Sequence, residues 1–158
     1  MRVIIPGSYD PVTLGHVDII RRAAEAYDEV YAVLFRNPDK DYMFSLDDRV
    51  RMLILATEDM ENVIVSYSTG LVIDYMRDHG IDRIVKGYRN AADLAYEEKQ
   101  AAWNLAHGGY ETELLPCGTA FSAVSSTEVR RRLTAGEDIT DLTPAPVAAF
   151  IKNIDKRA

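Results

Sequence analysis

Alternation constrains this chain more than any other feature: five short apolar runs are separated by stretches with the apolar spacing of helices. Strands are predicted at Val3–Ile5, Val30–Phe35, Val63–Ser66, Arg83–Lys86 and Glu111–Leu115. Helices are predicted at Val17–Tyr27, Leu46–Glu58, Leu71–His79 and Asp93–His107, with shorter ones at about Ser126–Thr134 and Ala145–Ile154. Ser45 before Asp47 and Asp48 is a good N-cap, while Gly80 and Gly108-Gly109 stop helices. Strand–helix alternation with short connections implies an α/β fold, a single domain over residues 1–158 with a five-stranded parallel sheet flanked by helices. Open sheets of this kind bind ligands beyond the carboxyl ends of their strands, where strand order reverses. The segments after strands one, two, four and five are therefore expected to share one site.

The first of these segments is Pro6-Gly7-Ser8-Tyr9-Asp10-Pro11-Val12-Thr13-Leu14-Gly15-His16. A strand stops, turns through a Gly- and Pro-rich loop and restarts as a helix. Unpaired amides and the helix dipole favour phosphate at such a start. Gly15 permits close approach to the backbone, and His16 can donate a hydrogen bond to an oxyanion. The plainer reading makes Thr13 an N-cap and His16 a first-turn residue.

Ile84-Val85-Lys86-Gly87-Tyr88-Arg89 sets two cations around a glycine at a strand end, which suits phosphate oxygens or a merely solvated edge. Asp93 and Glu97 follow at i, i+4 beside Tyr96. They can hold sugar hydroxyls, an adenine amino group or a metal-bound water, or pair with Arg89 or Lys99. The run Phe121-Ser122-Ala123-Val124-Ser125-Ser126-Thr127-Glu128-Val129-Arg130 offers hydroxyls and amides at another helix start. Ser125 to Glu128 also fits a capping box, and both readings use the same orphan donors. Lys40, in Arg36-Asn37-Pro38-Asp39-Lys40, reads alone as an ordinary exposed lysine. His79 and His107 lie near helix C-termini and read as structural, and Cys117 reads as a small buried residue.

The formal charge of −7 argues against nonspecific nucleic-acid binding but allows a small polyanion held by a few cations. One cysteine excludes an internal disulfide framework, and no apolar segment approaches the roughly 20 residues of a membrane span. With no signal-peptide pattern at the N-terminus, the expected location is the cytoplasm.

Taken together, Thr13-Leu14-Gly15-His16 and Ser125-Ser126-Thr127-Glu128-Val129-Arg130 resemble the T/HxGH and SSTxxR motifs of the nucleotidylyltransferase superfamily. The nearer resemblance is to the bacterial phosphopantetheine adenylyltransferases. It runs nearly end to end, through Asn37-Pro38-Asp39-Lys40, Met43-Phe44, Lys86-Gly87-Tyr88-Arg89 and Asp93-Leu94-Ala95-Tyr96-Glu97. It implies a Rossmann-like fold and transfer of AMP from ATP to 4′-phosphopantetheine, giving dephospho-coenzyme A and pyrophosphate. By similarity, Ser8, Lys40, Val72 and Lys86 meet phosphopantetheine. ATP is expected against Ser8, Tyr9, His16, Gly87, Tyr88, Arg89 and Glu97 and the run Phe121 to Thr127. This chain has Ser8 where the family usually has Thr, and Lys86 where it often has Arg. It also has Tyr9 for Phe, Tyr88 for Leu or Val, and Val72 for Met or Leu.

The acceptor is already a phosphate monoester, so positioning and electrostatics rather than a strong base are expected to carry the rate. His16 and Lys40 are assigned as catalytic, at the α-phosphate and the attacking phosphate. Mg2+ is expected to neutralise pyrophosphate mostly through water and phosphate oxygens, with few protein ligands, and no metal-binding residue is assigned. The resemblance further implies a homohexamer and feedback by coenzyme A. Two alternatives stand beside it: a sister enzyme acting on nicotinate or nicotinamide mononucleotide or on an alcohol phosphate, and a noncatalytic nucleotide-binding domain.

Overall fold

A computed structural model describes residues 1–157. Five parallel strands lie in the order β3-β2-β1-β4-β5: β1 Arg2–Gly7, β2 Glu29–Phe35, β3 Val63–Ser68, β4 Arg83–Tyr88 and β5 Thr112–Pro116. Among the described residues, six helices connect and cover them: α1 Leu14–Ala26, α2 Leu46–Thr57, α3 Val72–His79, α4 Ala91–Gly108, α5 Ser126–Ala135 and α6 Ala145–Arg157. A 3-10 turn occupies Thr119–Phe121. The expected α/β architecture, a Rossmann-like parallel sheet flanked by helices, is the one observed.

The apolar runs read as strands because the sheet is buried on both faces. Val3, Ile5, Val30, Ala32, Leu34 and Val85 pack against Ile19 and Ile20 of α1, Met52 and Leu53 of α2, and Val147 and Ile151 of α6. The intervening side chains Ile4, Tyr31, Val33 and Ile84 turn to the other face and meet Tyr75 and Met76 of α3. From central β1 the chain moves out to β2 and β3, then returns to β4 and β5 on the opposite side. Strand order thus reverses between β1 and β4, which opens a crevice at their carboxyl ends.

Element ends differ from the sequence reading in ways that matter for the site. β1 runs on to Gly7 and β4 to Tyr88, because pairing with Leu34 and with Pro116 continues past the apolar residues. α1 starts at Leu14, three residues before the expected Val17, since Thr13 caps it. α4 starts at Ala91 because Asn90 Oδ1 accepts from the Asp93 N–H at 2.9 Å. Gly80 and Gly109 end α3 and α4 at φ +65° and +73°, left-handed C-caps open to glycine. Among the described residues, no helix is long and apolar enough to cross a membrane.

Candidate active site

The crevice between β1 and β4 is a cleft of about 400 Å³. Four chain segments wall it, as the topology requires: the turn after β1, Lys40 after β2, the end of β4, and the stretch from Phe121 to the first turn of α5. Ser8, Tyr9, His16 and Lys40 border it on one side and Lys86, Gly87, Tyr88, Arg89 and Glu97 on another. Phe121, Val124, Ser125, Ser126 and Thr127 complete the wall. Two residues of the run expected against ATP do not reach it. Ser122 and Ala123 point outward and are exposed, with Ser122 Oγ donating to the Thr119 C=O at 3.1 Å. Val72, expected against phosphopantetheine, lines a second cavity of about 250 Å³, which joins the first along Pro6, Gly7, Ser8, Lys86, Tyr96 and Glu97. Cys117, expected in the core, is half-buried at the cleft edge.

His16 is the best-defined polar group of the cleft. Its own N–H donates to Thr13 Oγ1 at 3.3 Å, and its Nδ1 accepts from the Thr13 N–H at 3.0 Å. This is a reciprocal capping box with histidine at the third helical position. Capping therefore uses Nδ1 and leaves the other ring nitrogen to the cleft, so the two readings of His16 are compatible. A ring whose Nδ1 accepts from an amide carries its neutral-form proton on Nε2. Burial, then the positive charges of Lys86 and Arg89, push the His16 pKa down to about 4. The imidazole is thus neutral near pH 7, a hydrogen-bond donor of fixed orientation.

Tyr9 supports this ring from below. At φ +47° its backbone is in the left-handed region, and its phenol is 2% exposed, donating to the Ile5 C=O at 2.8 Å. Its ring lies 4.9 Å from that of His16 and packs so closely under Gly7 that a Cβ there would stand 3.1 Å from Tyr9 Cε2. Asp10–Pro11, next along the turn, is a cis peptide.

The cations are held by specific partners. Lys86 Nζ stands 3.3 Å from the Pro6 C=O and 3.5 Å from Glu97 Oε1. Glu97 thus pairs across to β4 and not with Lys99. Asp93 accepts from Arg89 Nε and the Arg89 N–H, both at 3.1 Å. Lys40 Nζ reaches Ser8 Oγ at 3.4 Å. Arg130 donates to the Asp10 C=O at 2.8 Å and to Thr127 Oγ1 at 3.2 Å, and Ser126 Oγ donates to the Pro11 C=O at 2.8 Å. The start of α5 is therefore sewn to the turn after β1. Ser125 caps α5 through the Glu128 N–H, but only half of the expected box forms, because the Glu128 carboxylate turns to Arg131 and Arg132. Four cations facing one cleft in a chain of charge −7 suit a polyanionic ligand.

Gly87 fixes the distance between β4 and α1. A Cβ there would lie 2.7 Å from Ile19 Cγ1 and 3.0 Å from its Cδ1, and Ile19 is 5% exposed and rotamer-restricted in a helix. Gly87→Ala is expected to destabilise by about 1–3 kcal/mol through overpacking. A urea midpoint shifted down at constant slope is the measurement, and an unshifted midpoint contradicts the tight approach.

Asp10 and Arg49, 4% and 2% exposed, are the site residues that motif reading left without a role. Arg49 carried a visible signal: it falls on the apolar stripe of α2 with Met52, Leu53 and Ala56.

A model of the cytidylyltransferase-like family matches residues 4–132. In structure the chain is similar to a candidate nicotinate-nucleotide adenylyltransferase from Vibrio parahaemolyticus, with a TM-score of 0.70 and 18% identity over 96% of this chain and 91% of that one. At that identity the likeness carries the fold.

Proposed function

This chain belongs to the cytidylyltransferase-like family of nucleotidyltransferases, and from that premise we propose that it transfers AMP from ATP to 4′-phosphopantetheine, releasing pyrophosphate. One observation carries the reading: two cavities that join at Ser8 and Lys86, the larger ringed by cations and the smaller lined by Phe35, Val72 and Ala101 with Gln100 and Asn104. The first suits a triphosphate. The second suits a slender arm with amides and methyl groups, whose phosphate end would meet Ser8, Lys86 and Lys40 at the junction.

In the reaction a phosphopantetheine oxygen forms a bond to the α-phosphorus as the bond to the bridging oxygen of pyrophosphate breaks. The attacking monoester is largely dianionic at neutral pH and needs no base. The residues supply position and charge instead. Neutral His16 donates from Nε2 to an α-phosphate oxygen, Lys40 holds the incoming phosphate, and Arg89 with the Ser125–Thr127 amides and hydroxyls holds the β- and γ-phosphates. Glu97 keeps Lys86 loosely at 3.5 Å, so a phosphate can share it.

Magnesium fits this site as a companion of the triphosphate. The cleft carboxylates are engaged, Asp10 by two amides, Asp93 by Arg89 and Glu97 by Lys86. Among the described residues no cluster of three His, Cys, Asp or Glu could hold an ion. Coenzyme A shares the pantetheine arm and would compete for both cavities, which is the expected route of feedback. The proposal includes the hexamer, with which exposed Trp103 and Leu105 on α4 are compatible.

Purified protein given ATP and magnesium with phosphopantetheine, nicotinate mononucleotide, nicotinamide mononucleotide or an alcohol phosphate should release pyrophosphate fastest with the first. The candidate function of the Vibrio protein makes nicotinate mononucleotide the main rival. Faster release with it would overturn the acceptor, and release with none would leave a binding domain. Lys40→Ala and Lys86→Ala should each raise the acceptor KM by about tenfold or more, with the ATP KM changed far less, as for loss of a charged hydrogen bond of about 1.5–3 kcal/mol.

A further inference from the structure

Arg49 occupies a position of α2 that packing alone would give to a leucine. Arg49 is 2% exposed, and buried donors must find acceptors. Nη1 donates to the Ser8 C=O at 3.0 Å and Nε to the Phe44 C=O at 3.2 Å, while the Tyr42 ring lies 3.9 Å from Cζ. Ser8 belongs to the turn after β1. Tyr42 and Phe44 belong to the loop that carries Lys40.

Residues 36–41 of that loop are all exposed, so its shape depends on its anchors. The Asn37 N–H donates to the Tyr42 hydroxyl at 2.8 Å, and the Lys40 N–H donates to the Asn37 C=O at 3.1 Å. A continuous path therefore runs from Arg49 through Tyr42 and Asn37 to Lys40. It closes on itself, because Lys40 Nζ donates to Ser8 Oγ at 3.4 Å. Arg49 and Lys40 grip the same residue, one by its carbonyl and the other by its hydroxyl.

We infer that Arg49 is a positioning residue, whose buried guanidinium braces the Lys40 loop against the Ser8 turn and so sets where the Lys40 ammonium stands in the cleft. The inference rests on the role proposed for Lys40 at the phosphates. An aliphatic residue would fill the space and leave both carbonyls unbound. A lysine would bring its donors on a flexible stem, without the planar fork that spans the two carbonyls or the guanidinium face that meets the Tyr42 ring.

The test is a double-mutant cycle read by turnover of ATP and phosphopantetheine, with amide hydrogen exchange as a second measurement. Arg49→Met should lower kcat/KM for the acceptor by about 10–100-fold when Lys40 is present, the scale of a misplaced reacting group. In the Lys40→Ala background the same change should cost less than about threefold, because the group it positions is gone. Exchange at residues 37–42 should quicken in Arg49→Met and in the double variant alike. Equal losses in both backgrounds, or unchanged exchange, would overturn the inference. If Arg49→Met does not fold, Tyr42→Leu removes the stacked ring from a half-buried loop position and should reproduce the acceptor effect; an unaltered kcat/KM there would likewise overturn it. A wild type that does not use phosphopantetheine sinks the acceptor reading alone, and the exchange measurement still decides the brace.

Discussion

His16→Ala is expected to lower kcat by about 10²–10³, the cost of one preorganised oxyanion donor, with far less change in ATP affinity. The expectation follows from how the ring is held. Thr13 fixes Nδ1 as acceptor, Tyr9 supports one face, and the remaining N–H meets the cleft without reorganisation. Alanine also removes half of the capping box, so local fraying could mimic a chemical loss. His16→Gln separates the two. Glutamine is the usual partner at that position of a capping box and can accept from the Thr13 N–H, yet it does not put an imidazole Nε2–H at the same point. The glutamine variant should melt close to the wild type while staying slow. Near-normal turnover in either variant would remove His16 from the chemistry.

The depressed pKa gives a second readout. Burial first, then Lys86 and Arg89, bring His16 to about 4, so kcat/KM for ATP should carry no His16 inflection between about pH 6 and 8. Below pH 6.5 an unfolded chain protonates this histidine while the folded one does not. The unfolded state then binds more protons, and stability falls as the pH drops from 6.5 towards 4, by at most roughly 3 kcal/mol. His16→Gln should lose that part of the acid sensitivity, visible as a shallower dependence of melting temperature on pH.

Much of this site was legible because topology and motif point the same way. Short apolar runs alternating with helical stretches dictate a parallel sheet, and such a sheet can assemble its ligand site only from strand ends. Hence Ser8, Lys40, Lys86 and Ser125, distant in sequence, border one cleft. Where the reading slipped, a local pattern stood in for a three-dimensional one. Ser122 and Ala123 lie inside a motif whose neighbours line the cleft, but the 3-10 turn before them rotates them outward. Val72 is a different case: it was expected against the acceptor and not against ATP, and because it opens α3 after β3, on the far side of β2, it lines the second cavity and not the first. Arg49 showed its burial in the stripe of α2 but not its task, and Asp10 showed neither, because their hydrogen-bond partners are backbone groups. A carbonyl or an amide leaves no trace in the sequence that a side chain is waiting for it.

Asp10→Ala should produce the largest loss of stability among the site variants. The carboxylate is 4% exposed and takes two amides of the Lys40 loop, Met43 N–H on Oδ2 at 2.9 Å and Phe44 N–H on Oδ1 at 3.0 Å. Each is a charge-assisted bond of about 1.5–3 kcal/mol, and removing the acceptor leaves the donors without a partner. Met43 is 43% exposed, so its amide can turn to water, but Phe44 is 9% exposed and packed in the core. The loss should therefore sit near about 3 kcal/mol, a large part of the 5–15 kcal/mol typical of a domain. Asp10→Asn keeps one acceptor oxygen and sets an NH2 against the other amide, so it should fall between alanine and wild type. Urea midpoints at constant slope give the order wild type, Asn, Ala; an alanine variant with an unmoved midpoint would mean that the loop holds its place without the carboxylate. Asp10 and Arg49 thus share one anchor, Phe44, and differ in what else they hold. Asp10 secures the end of the loop nearest the core, where a lost bond must appear in folding. Arg49 holds the Phe44 C=O as well, but it also reaches the Ser8 C=O and the Tyr42 ring, so its loss should appear in folding and, through Lys40, in the rate.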